Sequence, residues 1–180
     1  LDIGNAEYLS IHRLRVRNAT EAAIRYLGAA HGAVENCVLE NGKRGLRLAS
    51  SPSVTLTDVS VFASTGVGID LYKSGNAVLE RVVCRGSQSY GIFINRSPAT
   101  LVTDSGCADS THAGFQVTSN STSVTIRNTI ICNNGQEGIL VQSGATGAII
   151  ENCTISANGG GIEFEDTATD GTVRNSICVT

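Results

Sequence analysis

The side chains of this 180-residue chain that could do chemistry fall at one recurring place in a repeated phrase. Arg47 stands in Gly45-Leu46-Arg47-Leu48, and Asp70 holds the equivalent position in Gly68-Ile69-Asp70-Leu71, with Tyr72 and Lys73 directly after it. An arginine can neutralise a carboxylate through its two-pronged fork, and an aspartate and a tyrosine can take and return a proton. Together these are the three roles of acid–base chemistry beside a carboxylate. Arg25, Tyr90, Asn95 and Arg96 sit at neighbouring places of the same series and are candidates for holding a ligand. The plain structural counterpart is a set of solvated cross-strand charge pairs, Arg47 with Asp70 among them.

Other residue types point away from several chemistries. His12 follows an inward Ile11 and should face outward, His31 falls in a bend, and His112 sits two residues before Gly114 at the border of the same face. There is no His-Glu-x-x-His, no phosphate loop and no Ser-His-Asp order. The six cysteines show no Cys-x-x-Cys spacing, so no zinc site is expected. Cys84, Cys107 and Cys178 fall in one inward column and Cys37 and Cys153 in another, where they replace Val or Ile as small apolar fillers and should stay free thiols; Cys132 alone falls outside the ladders. No metal or other cofactor is expected, and no motif supports calcium. Charged residues make up 16% of the chain and the net charge is −3, so no nucleic acid is expected as partner. No apolar run reaches the length of a membrane-spanning helix, so no membrane is expected either.

The elements that position these residues follow from the repeat. Gly, Asn, Ser and Thr account for 68 of the 180 residues, and 31 Val and Ile stand against 12 Leu, which favours short strands and tight turns over a helical bundle. The first apolar residues of the repeated phrase are Leu1, Ile24, Leu46, Ile69, Ile92, Phe115, Ile139 and Ile162, spaced by 22–24 residues. A second series runs in phase: Ile11, Val34, Leu56, Leu79, Val102, Ile126, Ile150 and Val173. Three and five residues after each come further inward positions, such as Leu14 and Val16 or Val82 and Cys84. Strict alternation gives even spacings only, so the offset of three marks a bend between two strands. The bend residue is Arg13, Asn36, Asp58, Arg81, Asp104, Asn128, Asn152 or Asn175. Asn and Asp tolerate left-handed backbone and can pair side chains from one turn to the next.

A unit of three short strands cannot bury its own apolar face, so the units must stack. The expected fold is all-β: a single-stranded right-handed parallel β-helix of about eight turns, three strands per turn, over residues 1–180 as one domain, with no evident end caps. Leu1 is already in register with a strand and Thr180 lies just past one, so the chain reads as a segment of a longer protein. The apolar ladders towards the ends, Leu1, Ile11 and Val16 at one and Ile162, Val173 and Ile177 at the other, lead to an expectation of end-to-end self-association or of a missing capping segment.

The phrases "NCTISANGGGIEF", "NTIICNNGQEGILV" and "NCVLENGKRGLRL" resemble the β-helix repeats of the pectate-lyase-like superfamily. They are nearest in flavour to alginate-acting repeats, in mannuronan C5-epimerases and related lyases, and to periplasmic copper-maturation β-helix proteins. The resemblance implies that substrate lies along the outer face of the Gly-Ile strands. There the outward side chains form a basic half (Arg25, Arg47, Lys73, Arg96) and an acidic end (Glu163, Glu165, Asp166). It further implies an acidic polysaccharide as partner, an extracellular or periplasmic location, and, if the chain is an enzyme, a polysaccharide lyase or C5-epimerase. The epimerase signature resembles Tyr-Gly-Phe-Asp-Pro-His. Gly68-Ile69-Asp70 matches its middle, with Val67, Leu71 and Tyr72 in place of the leading Tyr, the Pro and the His, while Tyr90-Gly91-Ile92 matches its start one turn later with Phe93 in place of the Asp. Only Asp70 carries over cleanly. The contrasting expectation is a non-catalytic structural β-helix, such as an adhesin, tail-spike or scaffold segment. A catalytic centre should gather Arg47, Asp70 and Tyr72 around one concavity, and a scaffold should show a flat face of independent charges.

Overall fold

The computed structural model describes Leu1–Val179, which wind through short strands sorted into three parallel sheets of eight. Each turn, here called a rung, gives one strand to each sheet, so rungs stack at the strand spacing of about 4.8 Å. The first sheet is built from Asp2–Gly4, Ala22–Leu27, Arg44–Ala49, Ile69–Tyr72, Ile92–Asn95, Phe115–Thr118, Glu137–Val141 and Gly160–Phe164, numbered rungs 1 to 8. Its register pairs Leu46, Ile69, Ile92, Phe115 and Ile139 in one inward column and Leu48, Leu71, Ile94, Val117 and Val141 in the next. These are the columns that the apolar spacing predicts. Ser10–His12 and Arg15–Arg17 begin the second and third sheets.

The bend between the second and third sheets behaves as its residues demand. Arg13, Asn36, Asp58, Arg81, Asp104, Asn128, Asn152 and Asn175 all take φ of 50–56°, in the left-handed region. Their side chains link neighbouring rungs: Asn128 Nδ2 donates to Asp104 Oδ1 at 3.2 Å, and Arg81 Nε donates to Asp58 Oδ1 at 2.8 Å. At the third bend, before the first sheet, the recurring glycine has a steric cause. A Cβ on Gly68 would meet Cys84 Sγ, Ser87 Oγ and the Gly91 carbonyl oxygen, and one on Gly91 would meet Cys107 Sγ and the Gly114 carbonyl oxygen. The chain there passes directly over the inward column of the third sheet, and only glycine fits.

The interior is close-packed and apolar, and the alternation puts Val, Ile, Leu and Cys into it. It also holds polar ladders that composition alone does not reveal. Ser51, Ser74, Ser97 and Ser121 are buried, and each hydroxyl accepts the backbone N–H of the residue one rung earlier, as in Ser51 N to Ser74 Oγ at 3.0 Å. Ser110, Asn134 and Asn158 make a second such ladder on the side of the third bend. Buried backbone groups at bends must find partners, and a column of hydroxyls supplies them.

The thiols are free, with Cys37, Cys84, Cys107 and Cys153 buried and Cys132 half-buried. Cys84 and Cys107 are register partners on adjacent rungs. The Cys84 sulfur and burial together push the Cys107 thiol up, so it stays protonated. The terminal rungs leave part of their apolar ladders uncovered. Leu1 and Leu14 at one end, and Val173 and Cys178 at the other, are inward by register yet exposed, because each stacks on a rung from one side only. Ile177 is a correction of another kind: its strand places Cys178 opposite Ile155, so Ile177 points outward opposite Thr154. Thr180 lies outside the described residues.

Candidate functional site

The outer face of the first sheet carries three columns of side chains. The middle one runs Asp2, Arg25, Arg47, Asp70, Phe93, Gln116, Leu140, Glu163. Beside it stand Leu27, Ala49, Tyr72, Asn95 and Thr118 on one flank, and Ala22 and Arg44 lead the other, two residues before each inward Leu or Ile. Val67, Tyr90, Ala113 and Glu137 hold the equivalent places in the following rungs. The period of two does not reach this column: it lies three residues before the middle one, and a bulge, where Gly45 N and Leu46 N both donate to the Gly68 carbonyl oxygen, turns Arg44 to the outer face.

That third column supplies the residue that organises the face. Arg44 Nε lies 3.0 Å from Asp70 Oδ2, and Arg47 Nε lies 3.6 Å from the same oxygen. Asp70 is only 6% exposed and is the one buried carboxylate among the described residues. Burial pushes its carboxyl up from the ordinary aspartate value, while the Arg47 and then the Arg44 guanidinium pull it down, and burial prevails. Neither arginine Nε has a well-aligned hydrogen bond, so the three groups attract as charges without closing a saturated network. Two cations converging on one buried carboxylate leave donor capacity for a further anion. Arg44 also approaches Glu21, at 3.8 Å, so this end of the face is a connected charge network.

The other expected residues are placed less evenly. Arg25 is committed: its Nε and Nη2 donate to the two carboxylate oxygens of Asp2 at 3.0 and 2.8 Å. Lys73 and Arg96 both lie in bends just past their strands, with φ of 53° and 51°, at one margin of the face. Lys73 Nζ stands 5.3 Å from the Tyr72 ring centroid, a cation–π contact. Asp70 and Tyr72 share the face of one strand, and Tyr72 pairs in register with Asn95. Tyr90 joins an aromatic group that the sequence does not assemble: its ring stacks on Phe93 at 5.4 Å and 17°, and meets His112 in a tilted contact at 5.1 Å and 44°. His112 Nδ1 lies 3.4 Å from Ser89 Oγ. The structure therefore brings Arg47 and Asp70 together, adds Arg44, and leaves Tyr90 one rung on as part of a separate aromatic shelf.

Beyond that shelf the face turns acidic. Burial, and then the Glu163 and Asp166 charges, push the Glu165 carboxyl up. Among the described residues no three His, Cys, Asp or Glu side chains gather as a metal ion requires, and no helix is long and apolar enough to cross a membrane. A recess of about 440 Å³ lies elsewhere, on the outside of the third sheet around Gly106, between Val83 and Ile130.

A family model described as a right-handed beta helix region matches residues 22–178. Among solved structures, the chain is similar to the A-module of the mannuronan C-5 epimerase AlgE6 of Azotobacter vinelandii, with a TM-score of 0.78 at 20% identity over 93% of this chain and 45% of that one. It is similar to the periplasmic alginate epimerase AlgG, with a TM-score of 0.81 at 12% identity over 98% of this chain and 50% of the other. It is also similar to PfbA, a surface adhesin of Streptococcus pneumoniae, with a TM-score of 0.57 at 12% identity over 97% and 61%. The chain spans about half the length of the epimerase structures it matches.

Proposed function

The chain belongs to the right-handed β-helix family, and from that premise we propose that it binds an acidic polysaccharide along the outer face of its first sheet, outside the cell or in a periplasm. The observation that carries this reading is the convergence of Arg44 and Arg47 on the buried Asp70. Two partly exposed guanidinium groups beside one carboxylate supply cationic donors of the kind a sugar carboxylate requires. Within the same reading Asp70 is the group that exchanges a proton with the sugar ring. Burial holds its carboxyl above the ordinary aspartate value, which brings it nearer to working pH. The similarity to alginate epimerases supports an acidic polysaccharide as ligand.

One observation favours a binding module without catalysis, in line with the similarity to an adhesin. The aromatic and imidazole groups that could complete an acid–base set are engaged elsewhere, Tyr72 with Lys73 and His112 with Tyr90. Calorimetric titration with uronate oligosaccharides, run beside ultraviolet detection of unsaturated products and proton-exchange detection of epimerisation, separates the two. Binding that weakens at least tenfold in Arg44→Ala and Arg47→Ala but is unchanged in Glu163→Ala is the expected result. Equal effects from all three would place the groove elsewhere. Binding without turnover would make the chain a recognition module.

A further inference from the structure

We infer that this groove is built for a mixed glycan, with a uronate at the Arg44–Arg47 end followed by a neutral pyranose on the Tyr90–Phe93 shelf, and not for an unbroken run of uronates. The inference rests on the glycan reading above and narrows its substrate class. Its basis is the way outward chemistry changes along the solenoid axis. Rungs 3 and 4 present Arg44 and Arg47 around Asp70. Rungs 5 and 6 hold no charged side chain in the three columns: Tyr90, Phe93 and Asn95, then the buried Ala113, Gln116 and Thr118. Rungs 7 and 8 present Glu137, Glu163 and Glu165. A homopolymer of uronates laid along this face would set one carboxylate over an aromatic shelf and the next against glutamates, both unfavourable.

The middle step has the chemistry of a neutral sugar. The Tyr90 and Phe93 rings, half-buried on the outer face, offer apolar carbon to the C–H face of a pyranose. Asn95 Oδ1 and Gln116 Oε1 are buried on this same face and have no hydrogen-bond partner, and Gln116 as a whole is only 4% exposed. Unpaired buried amides are costly, and sugar hydroxyls, which both donate and accept, satisfy either end of an amide. The terminal torsions of Asn and Gln are broad, so each amide can turn to meet a hydroxyl without moving the strand. Arg96 follows Asn95 in the bend at the margin of rung 5, and Lys73 holds the same place on rung 4.

The test is calorimetry on the whole chain with three hexasaccharides: all-glucuronate, alternating glucuronate and glucose, and all-glucose. The alternating chain should bind about tenfold tighter than either of the others. Phe93→Leu, which keeps bulk without a ring, and Asn95→Ala should bring the alternating chain down to the all-glucuronate level. An all-glucuronate chain that binds tightest, with no response to Phe93→Leu, would overturn the inference and leave the glycan reading standing. Binding by none of the three would overturn both.

Discussion

Arg44 lies closer to Asp70 than Arg47 does, 3.0 Å against 3.6 Å, although Arg47 is the residue directly opposite Asp70 in the ladder. The diagonal partner reaches better because its long side chain approaches from the neighbouring column, which places Asp70 between two cations instead of in a simple rung-to-rung pair. The carboxylate therefore competes with any sugar carboxylate for the same two guanidinium groups. Replacing it by a neutral isostere removes the competitor and, on the proposed reading, the group that exchanges a proton. Asp70→Asn should bind uronate oligosaccharides several-fold more tightly than the parent and show no turnover of them. Weaker binding in Asp70→Asn, with its melting temperature unchanged, would mean that the carboxylate orients the arginines and does not compete.

Glycines at two places in the repeat make opposite predictions. A Cβ on Gly68 runs into Cys84 Sγ and stands 2.6 Å from the Gly91 carbonyl oxygen, whereas the nearest atom to a Cβ on Gly106 is the Ile130 carbonyl oxygen at 3.8 Å. Gly68→Ala should therefore cost about 1–3 kcal/mol through overpacking. Gly106→Ala should be neutral or stabilise by up to about 1 kcal/mol, because alanine has less freedom to lose. Chemical denaturation of both variants decides the matter, and similar losses from the two would contradict the steric account of the recurring glycine.

The fold was legible because its signals repeat eight times: inward columns at a spacing of 22–24 residues, an offset of three that requires a bend, and Asn or Asp at most of those bends. The site was legible only in part. Arg47 and Asp70 occupy the column next to the recurring apolar residue and follow from the alternation, whereas Arg44 precedes the glycine at an odd offset, where alternation alone turns a side chain inward. The strand in fact starts at Arg44. Nor does the sequence show that Arg25 is consumed by Asp2, because a bidentate pair depends on side-chain conformation and not on register alone. The serine ladder was missed for a related reason: serine in a loop reads as solvated, and only the stacking of successive bends turns it inward.

Tyr26 carries a pH prediction. Its ring is fully buried, and its hydroxyl donates to the Leu9 carbonyl oxygen at 2.9 Å. Burial, with a smaller contribution from Cys37, pushes the phenol up to about 12. The folded state therefore favours the protonated ring, while the unfolded chain ionises near the ordinary tyrosine value of about 10. The stability Tyr26 contributes is complete below pH about 10 and is lost as pH rises from there towards 12. Tyr26→Phe lacks the hydroxyl and should be about 1 kcal/mol less stable at pH 8. The gap should narrow or reverse by pH 11.5. A gap that stays constant across melting curves at those two pH values would rule out a raised phenol.

Ser74 tests whether the buried hydroxyl column holds the rungs together. Its Oγ accepts the Ser51 N–H at 3.0 Å and donates to the Tyr72 carbonyl oxygen at 3.1 Å, so one hydroxyl satisfies two backbone groups on successive rungs. Ser51 and Ser74 are both buried, and no water can take over if the hydroxyl is removed and the cavity stays small. Ser74→Ala leaves the Ser51 N–H without an acceptor and should cost about 1–3 kcal/mol. Ser74→Thr keeps the hydroxyl and should recover most of that loss unless its added methyl overpacks the column. The local readout is amide exchange at Ser51, which should quicken in Ser74→Ala more than exchange at Ile92, in the core column one rung beyond. Uniform quickening at both sites would show a global loss of stability and would remove the ladder as a local tie. Tyr72 stands two residues before Ser74, on the face that carries Asp70. A loosened bend should therefore reach the candidate site as well, lowering uronate affinity in Ser74→Ala while the contacting residues remain unchanged.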